Sequence, residues 1–389
     1  MNTDMAGASA PAQQGAALRD LRSRELVRGL AERLRGMEAP PATLMEVCGT
    51  HTVVIARHGL REALPKGVRL ISGPGCPVCV TPQEQIDHFI ALGGLEGVTL
   101  ATFGDMVRVP GTHRSLEQAR AESVELLVVY SPMDAVEEAA RNPERQIVFF
   151  GIGFETTAPA VAIAILEARQ RRLGNFSVLC AHKLIPPAMM ALVASYEKGQ
   201  EASSCPTVEV DGFICPGHVS VVIGSDAYRP VAARGKPCVV AGFEPADVLA
   251  AVQMLLRQLA EGRSEVEVEY VRAVHPGGNR KAQEVLARVF RVADARWRGL
   301  GVISRSGYGL AEEFAEFDAA KRFEVERPES NEPAGCRCGD VLRGAIDPPE
   351  CPLFGNACKP RRPVGSCMVS SEGACQAWYR YRGAADESG

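Results

Sequence analysis

No stretch of this 389-residue sequence comes near the about 20 uninterrupted apolar residues that a membrane-crossing helix requires, so a helical membrane span is not expected. Charge of one sign is equally scarce. The formal net charge is -4 and no lysine-arginine block occurs, which leaves nucleic acid without an electrostatic footprint. A serine-histidine-acid set, a Walker loop and a paired metal-binding helix are all missing, which weakens the conventional hydrolase and kinase readings. Residues 1–17, rich in Ala, Gly and Gln, lack both the basic start and the apolar core of a signal peptide or anchor, and read as a disordered tail. Without an export signal the expected location is cytoplasmic. In that reducing compartment 13 cysteines read as metal ligands or redox groups rather than as staples.

What is present begins with an ordinary globular composition, 46% apolar and 23% charged, over a length that suits two or three domains. Leucines at helical intervals between Leu18 and Leu34 predict a surface helix that stops before Pro40-Pro41. Strand patterns follow at 43–47, 68–72, 98–103, 126–130, 146–150, 177–180, 212–215, 237–241 and 266–274, most of them succeeded by helical patterns such as 245–259 and 280–289. This alternation predicts an α/β fold with two parallel, Rossmann-like sheets. The expected divisions are a helix over 18–40, one α/β domain over 41–150, a second over 151–303, and a cysteine-rich tail from 304 to 389.

The notable residues repeatedly fall just after a strand, where open α/β sheets place their ligands. Cys48-Gly49-Thr50-His51 offers a soft and a borderline ligand at such a position, with a glycine that allows close approach. A packed, inert thiol is the competing reading. Cys76-Pro77-Val78-Cys79 is a C-x-x-C in a Gly-Pro loop. Thr81, Pro82 and Glu84 read as the capping box of a helix from Gln83 to Leu92, whose positive end would favour a thiolate. The alternatives are half of a zinc site or two inert thiols.

Six cysteines fall between Cys336 and Cys375, enough for four ligands and a pair. Thiolates in fours select zinc or an iron-sulfur cluster. Zinc usually takes two close pairs. Here the cysteines are dispersed through Gly- and Pro-rich loops with one C-x-C, an arrangement that suits a cluster better while leaving zinc open.

The tail segments Cys336-Arg-Cys338-Gly-Asp-Val-Leu-Arg-Gly, Cys351-Pro-Leu-Phe-Gly and Pro363-Val-Gly-Ser-Cys367-Met-Val-Ser-Ser-Glu-Gly-Ala-Cys375 resemble the tail of the HypD family of hydrogenase maturation proteins. Gly73-Pro74-Gly75-Cys76-Pro77-Val78-Cys79 and Gly153-Phe154-Glu155-Thr156-Thr157 also look like motifs of that family. The resemblance implies a [4Fe-4S] cluster held by Cys336, Cys351, Cys358 and Cys375, with Cys338 and Cys367 as a dithiol or disulfide beside it. The tail would then be a small iron-sulfur domain, with the N-terminal helix packed on it. The resemblance also implies that Cys48, with His51 close by, binds the iron of the Fe(CN)2CO unit under assembly. Some relatives carry a further histidine where this chain has Val53. The implied role is that of an assembly scaffold more than a turnover enzyme, working with a HypC-type chaperone and the cyanide donor HypE, with electrons passing through the cluster and the cysteine pairs. The competing class is an α/β dithiol oxidoreductase with a zinc-stabilised cap.

Several motifs remain. The loop from Gly151 to Pro159 opens like a dinucleotide fingerprint but has Thr156 in place of the third glycine. A Glu155 buried and hydrogen-bonded by Thr156 and Thr157 is expected, or, as the family resemblance implies, a proton or partner role for these three in a cleft. Cys215-Pro-Gly-His218 repeats the C-x-x-H spacing of Cys48 and His51, as an echo of a second domain facing the first across that cleft. His182-Lys183 and the loop from His275 are further candidates to line it, with a satisfied polar side chain as the alternative for each. Cys180, Cys205 and Cys238 are expected to be small buried apolar residues.

Overall fold

Five strands form the first sheet of the computed structural model, which describes residues 21, 23–197 and 208–381. They are β1 (Ala42–Glu46), β2 (Val68–Ser72), β7 (Gly212–Pro216), β8 (Cys238–Ala241) and β9 (Val266–Val268), in the order β2-β1-β7-β8-β9 and all parallel. The second sheet is also parallel and has the order β4-β3-β5-β6, from β3 (Val98–Thr102), β4 (Glu125–Val128), β5 (Gln146–Gly151) and β6 (Phe176–Cys180). Both sheets are covered by helices. Their inner strands are apolar runs buried on both faces, as parallel sheets demand. The α/β class with two Rossmann-like sheets and a cysteine-rich C-terminal region is therefore observed.

Chain order and sheet membership diverge. The boundary expected at Gly151 falls at the end of β5, which pairs along its length with β6, from Ile147 opposite Phe176 to Gly151 opposite Cys180. Strand β7, expected in the second unit, pairs directly with β1. The first sheet is thus built from two separate chain segments, with the second sheet inserted between them. The strand expected to continue to 274 stops at Val268. Beyond it the backbone turns on itself, with the Val271 amide donating to the Glu269 carbonyl at 2.8 Å.

Two further elements depart from expectation. The N-terminal helix, Arg24–Arg35, starts with Ser23 accepting from the Leu26 amide, and it lays Leu34 into the core beside the first sheet, packing on the helix Pro245–Ala260 rather than serving the cysteine-rich tail. An antiparallel hairpin, β10 (Phe290–Trp297) and β11 (Gly301–Leu310), has no counterpart among the sequence-predicted strands, and the division expected at Ser304 lies inside it. Its alternation is interrupted by a bulge between Ala293 and Ala295, which weakens the period-two signal. No helix among the described residues is long and apolar enough to cross a membrane. Residues 1–17 and Cys205 lie outside the described residues.

Candidate redox and metal site

Strand β1 delivers Cys48 to the first turn of the helix Gly49–Arg57, where it is 1% exposed. Three segments close around it. The Gly49 amide donates to the Gly75 carbonyl at 2.9 Å, and a Cβ on Gly75 would stand 2.1 Å from the Cys48 nitrogen, so only glycine lets this loop lie on the thiol-bearing backbone. From the tail, Glu372 accepts from the Thr50 hydroxyl at 2.7 Å and packs so closely that a Cβ on Gly49 would come within 2.6 Å of its own. Below the thiol, Glu46 accepts from the Cys48 amide at 2.9 Å and from the Thr52 hydroxyl at 2.5 Å. Burial pushes Glu46 up to about 7 and the Cys48 thiol well above its ordinary range. A buried thiol of this kind stays protonated until a cation takes the place of the proton.

Two histidines frame Cys48. The His51 ring donates from Nε2 to the Gly242 carbonyl at 2.8 Å, which leaves Nδ1 as a lone-pair atom, buried and with no hydrogen-bond partner among the described residues. His218 presents Nδ1 to the Cys48 sulfur at 3.8 Å. Both rings lie 5.2 Å from the ring of Phe243. Burial lowers both to about 4, so both are neutral at pH 7, the form that ligates metals. The C-x-x-H repeat was expected to face Cys48 from another domain. Because β7 lies beside β1, His218 instead reaches the site from the neighbouring strand of the same sheet. Cys215 stays in the core, where burial and a hydrogen bond with Cys238 raise its pKa well above the ordinary thiol value.

Cys76 and Cys79 are joined as a disulfide, with Cα atoms 5.2 Å apart, and both are buried. The expected cap is not observed. Cys76 is itself the N-cap of a short helix, Pro77–Val80, and accepts from the Cys79 amide at 3.2 Å. Thr81 donates to the Pro77 carbonyl at 2.8 Å instead of capping, and Pro82 precedes the helix Gln83–Leu92 with no side-chain cap. The one-turn helix uses up the residues that would have formed the box.

Cys336, Cys338, Cys351, Cys358, Cys367 and Cys375 surround one cavity, closed by apolar Leu353, Phe354 and Met368. A Cβ on Gly365 would stand 2.6 Å from the Cys336 sulfur, so the cradle is open only because that residue is glycine. The Val364 amide donates to the Cys358 sulfur at 3.3 Å. Burial pushes Cys336 up to about 12 and raises Cys358. Among the described residues no three His, Cys, Asp or Glu side chains converge on one ion-sized point. Thiolates lining one cavity are the donor set that a zinc ion or an iron-sulfur cluster takes. Cys338 accepts a hydrogen bond from Cys367, which with the nearby Arg298 lowers it to about 7 despite burial. The Ser366 hydroxyl lies 3.7 Å from the Cys338 sulfur and 3.4 Å from the Cys79 carbonyl. The tail pair and the C-x-x-C therefore adjoin.

Glu155, Thr156 and Thr157 lie at the end of β5 in the second sheet. Glu155 is buried, but Thr157 donates to the carbonyls of Ile152 and Phe154, and Glu155 accepts from the Ile185 amide at 3.0 Å. Burial pushes its carboxyl up to about 7. Gly153 has φ +134°, and a Cβ there would strike the Thr157 hydroxyl, so this glycine serves a local turn. His182 and Lys183 follow β6. Burial lowers them to about 3 and about 8, and Lys183 donates to Gln85 at 3.1 Å. His275 is exposed.

The HypD family model, described as "Hydrogenase formation hypA family", matches residues 24–382. The chain is 50% identical over 368 residues to the hydrogenase maturation factor HypD of Azotobacter vinelandii, covering 93% of this chain and 96% of that protein. It is 45% identical over 360 residues to HypD of Escherichia coli strain K12, covering 92% and 94%. It is likewise 45% identical over 370 residues to HypD of Cupriavidus necator, covering 94% and 96%.

Proposed function

Given that the chain belongs to the HypD family and is a hydrogenase maturation factor, we propose that it is the redox-active cytoplasmic scaffold on which the Fe(CN)2CO unit of [NiFe]-hydrogenases is assembled, with a HypC-type chaperone and HypE as cyanide donor. The observation that carries this reading is the row of sulfur groups. It runs from the tail cavity through Cys338 and Cys367 to Cys79, and the loop that bears Cys76 lies directly on the backbone of Cys48.

Cys336, Cys351, Cys358 and Cys375 would hold a [4Fe-4S] cluster, which when bound supplies single-electron transfer. The protein's own groups do the rest. Opening the Cys76–Cys79 bond stores two electrons and two protons as two thiols beside the assembly point. Cys48 is the soft ligand for the incoming iron, which takes the place of the thiol proton as that proton leaves to water, and Glu46 fixes the Cys48 backbone through its amide. His51 and His218, both neutral, are oriented by Gly242 and by the thiol to bind or shield that iron. Glu155, with Thr156 and Thr157, is assigned to proton handling or partner contact at the end of the second sheet.

The test is Cys48→Ala, purified anaerobically together with the HypC-type chaperone. The infrared bands of Fe(CN)2CO should disappear while tail iron and acid-labile sulfide stay at wild-type levels. Unchanged bands would refute the assignment of Cys48. A colourless wild-type protein containing zinc and no sulfide would refute the cluster.

A further inference from the structure

The β10–β11 hairpin is rooted in the second sheet and ends between the two cysteine pairs. At its base the Leu184 amide donates to the Ser306 carbonyl at 2.9 Å, and Lys183 bridges Gly307. The Trp297 ring lies 6.1 Å from that of Phe154 and donates to the Ser306 hydroxyl at 2.9 Å. At the tip, two consecutive residues grip different segments. Arg298 is 2% exposed, and its backbone amide donates to the Val80 carbonyl at 2.9 Å. Its guanidinium donates to the Thr81 carbonyl at 3.0 Å, to the Gln83 side chain at 3.1 Å and to Glu332 at 2.7 Å. Those partners begin immediately after Cys79, and Glu332 shortly precedes Cys336. Gly299, at φ +77°, lies against Gly339, the residue after Cys338, where a Cβ would stand 2.4 Å from the Gly339 Cα. The Arg343 guanidinium donates to the Gly299 carbonyl.

A guanidinium this deeply buried is costly unless its donors are used, and here they are directed at the segment that leaves the C-x-x-C. We propose that Arg298 and Gly299 form a clamp that positions the Cys338–Cys367 pair against the Cys76–Cys79 disulfide and thereby sets the rate of exchange between them. The inference rests on the reading of the sulfur row as a redox path. In the step concerned, the Cys338 thiolate attacks one sulfur of the Cys76–Cys79 bond, and the displaced thiolate takes up the proton that Cys338 gave up. The Cys367 thiolate then attacks the Cys338 sulfur and its proton passes to the second released thiolate. The tail pair ends as a disulfide and Cys76 and Cys79 as two thiols, so two electrons and two protons have moved.

The clamp residues touch no reacting sulfur, so they are positioning residues. The experiment uses the full-length protein under anaerobic conditions, with both pairs oxidised. One molar equivalent of dithiothreitol is added, the reaction is quenched with N-ethylmaleimide at intervals, and peptide mass mapping follows how the reducing equivalents redistribute between the pairs. Arg298→Met should slow redistribution about 100-fold, the effect of misplacing reacting groups by about 1 Å. Arg298→Lys, which restores charge without the planar fork, should recover about tenfold of that loss. Gly299→Ala should resemble Arg298→Met. Melting temperature, iron and sulfide are measured alongside, and should Gly299→Ala not fold, Arg298→Lys and the exposed Glu332→Gln carry the test, each slower than wild type. Redistribution in Arg298→Met within twofold of the wild-type rate overturns the clamp alone. No redistribution in the wild type overturns the redox path and the clamp together.

Discussion

Each sheet carries a cysteine beside a histidine at its carboxyl end, the buried Cys48 with His218 at 3.8 Å and the half-buried Cys180 with His182 at 3.4 Å. Burial acts on both alike, raising the thiols and lowering the imidazoles. Their surroundings differ. Cys180 and His182 come from one strand end, and the Cys180 thiol donates to the Tyr308 carbonyl at 3.2 Å, so its hydrogen is already used. Cys48 and His218 come from adjacent strands far apart in sequence, and the C-x-x-C loop and the cysteine tail close on the same thiol. A perturbed pKa therefore marks burial at both ends, whereas convergence of distant segments marks the site at one of them.

The sharpest way to break this contrast is to remove a sulfur from each region. Cys358→Ala should lose nearly all iron and acid-labile sulfide by elemental and colorimetric assay, while Cys180→Ala keeps both at wild-type levels. Equal losses would mean that the second sheet end shares in the metal chemistry. The histidines give a smaller effect. His218→Ala should lower iron retained in the chaperone complex about tenfold, in the range that loss of a supporting group around a metal produces, with the tail iron unaffected. His182→Ala should leave that iron unchanged and lower stability in urea by about 2 kcal/mol, the cost of disturbing a buried polar group.

A pH effect is read at Glu155 in the second sheet, a shift that Glu46 in the first sheet shares. Glu155 titrates near 7 in the folded chain against an ordinary 4.5, so the folded state holds more protons between those values. Stability therefore falls as pH rises through this window, by at most roughly 3 kcal/mol for a shift of this size. His182, lowered to about 3, contributes the opposite slope, losing stability as pH falls below 6.5. Glu155→Gln, neutral throughout, should make urea midpoints rise more steeply between pH 5 and pH 7.5 than in wild type. An unchanged profile would show that the carboxyl is not held neutral in solution.

Much of the secondary structure was legible because it depends on neighbours. Apolar runs bounded by Gly and Pro placed β2 without error and most other strands to within a residue or two. The sulfur motifs were legible because thiol chemistry is carried by residue type. Thr81 was misjudged because a one-turn helix after Cys76 competed for the same residues. The partner of the N-terminal helix was missed because its leucine stripe states that a face is buried and not against what. Arg298 was overlooked for a similar reason. A lone arginine in a sequence reads as surface, and only its four partners reveal a buried one.

By itself the sequence determined an α/β chain rich in thiols, with its chemistry at strand ends, because residue type and short-range periodicity are local properties. Tertiary structure alone decided that β7 lies beside β1, that His218 meets Cys48, and that a separate two-stranded hairpin ends between the C-x-x-C and the tail cysteine pair. Those outcomes depend on hydrogen-bonded pairing between strands more than a hundred residues apart, and no local pattern encodes which strand a free edge will take.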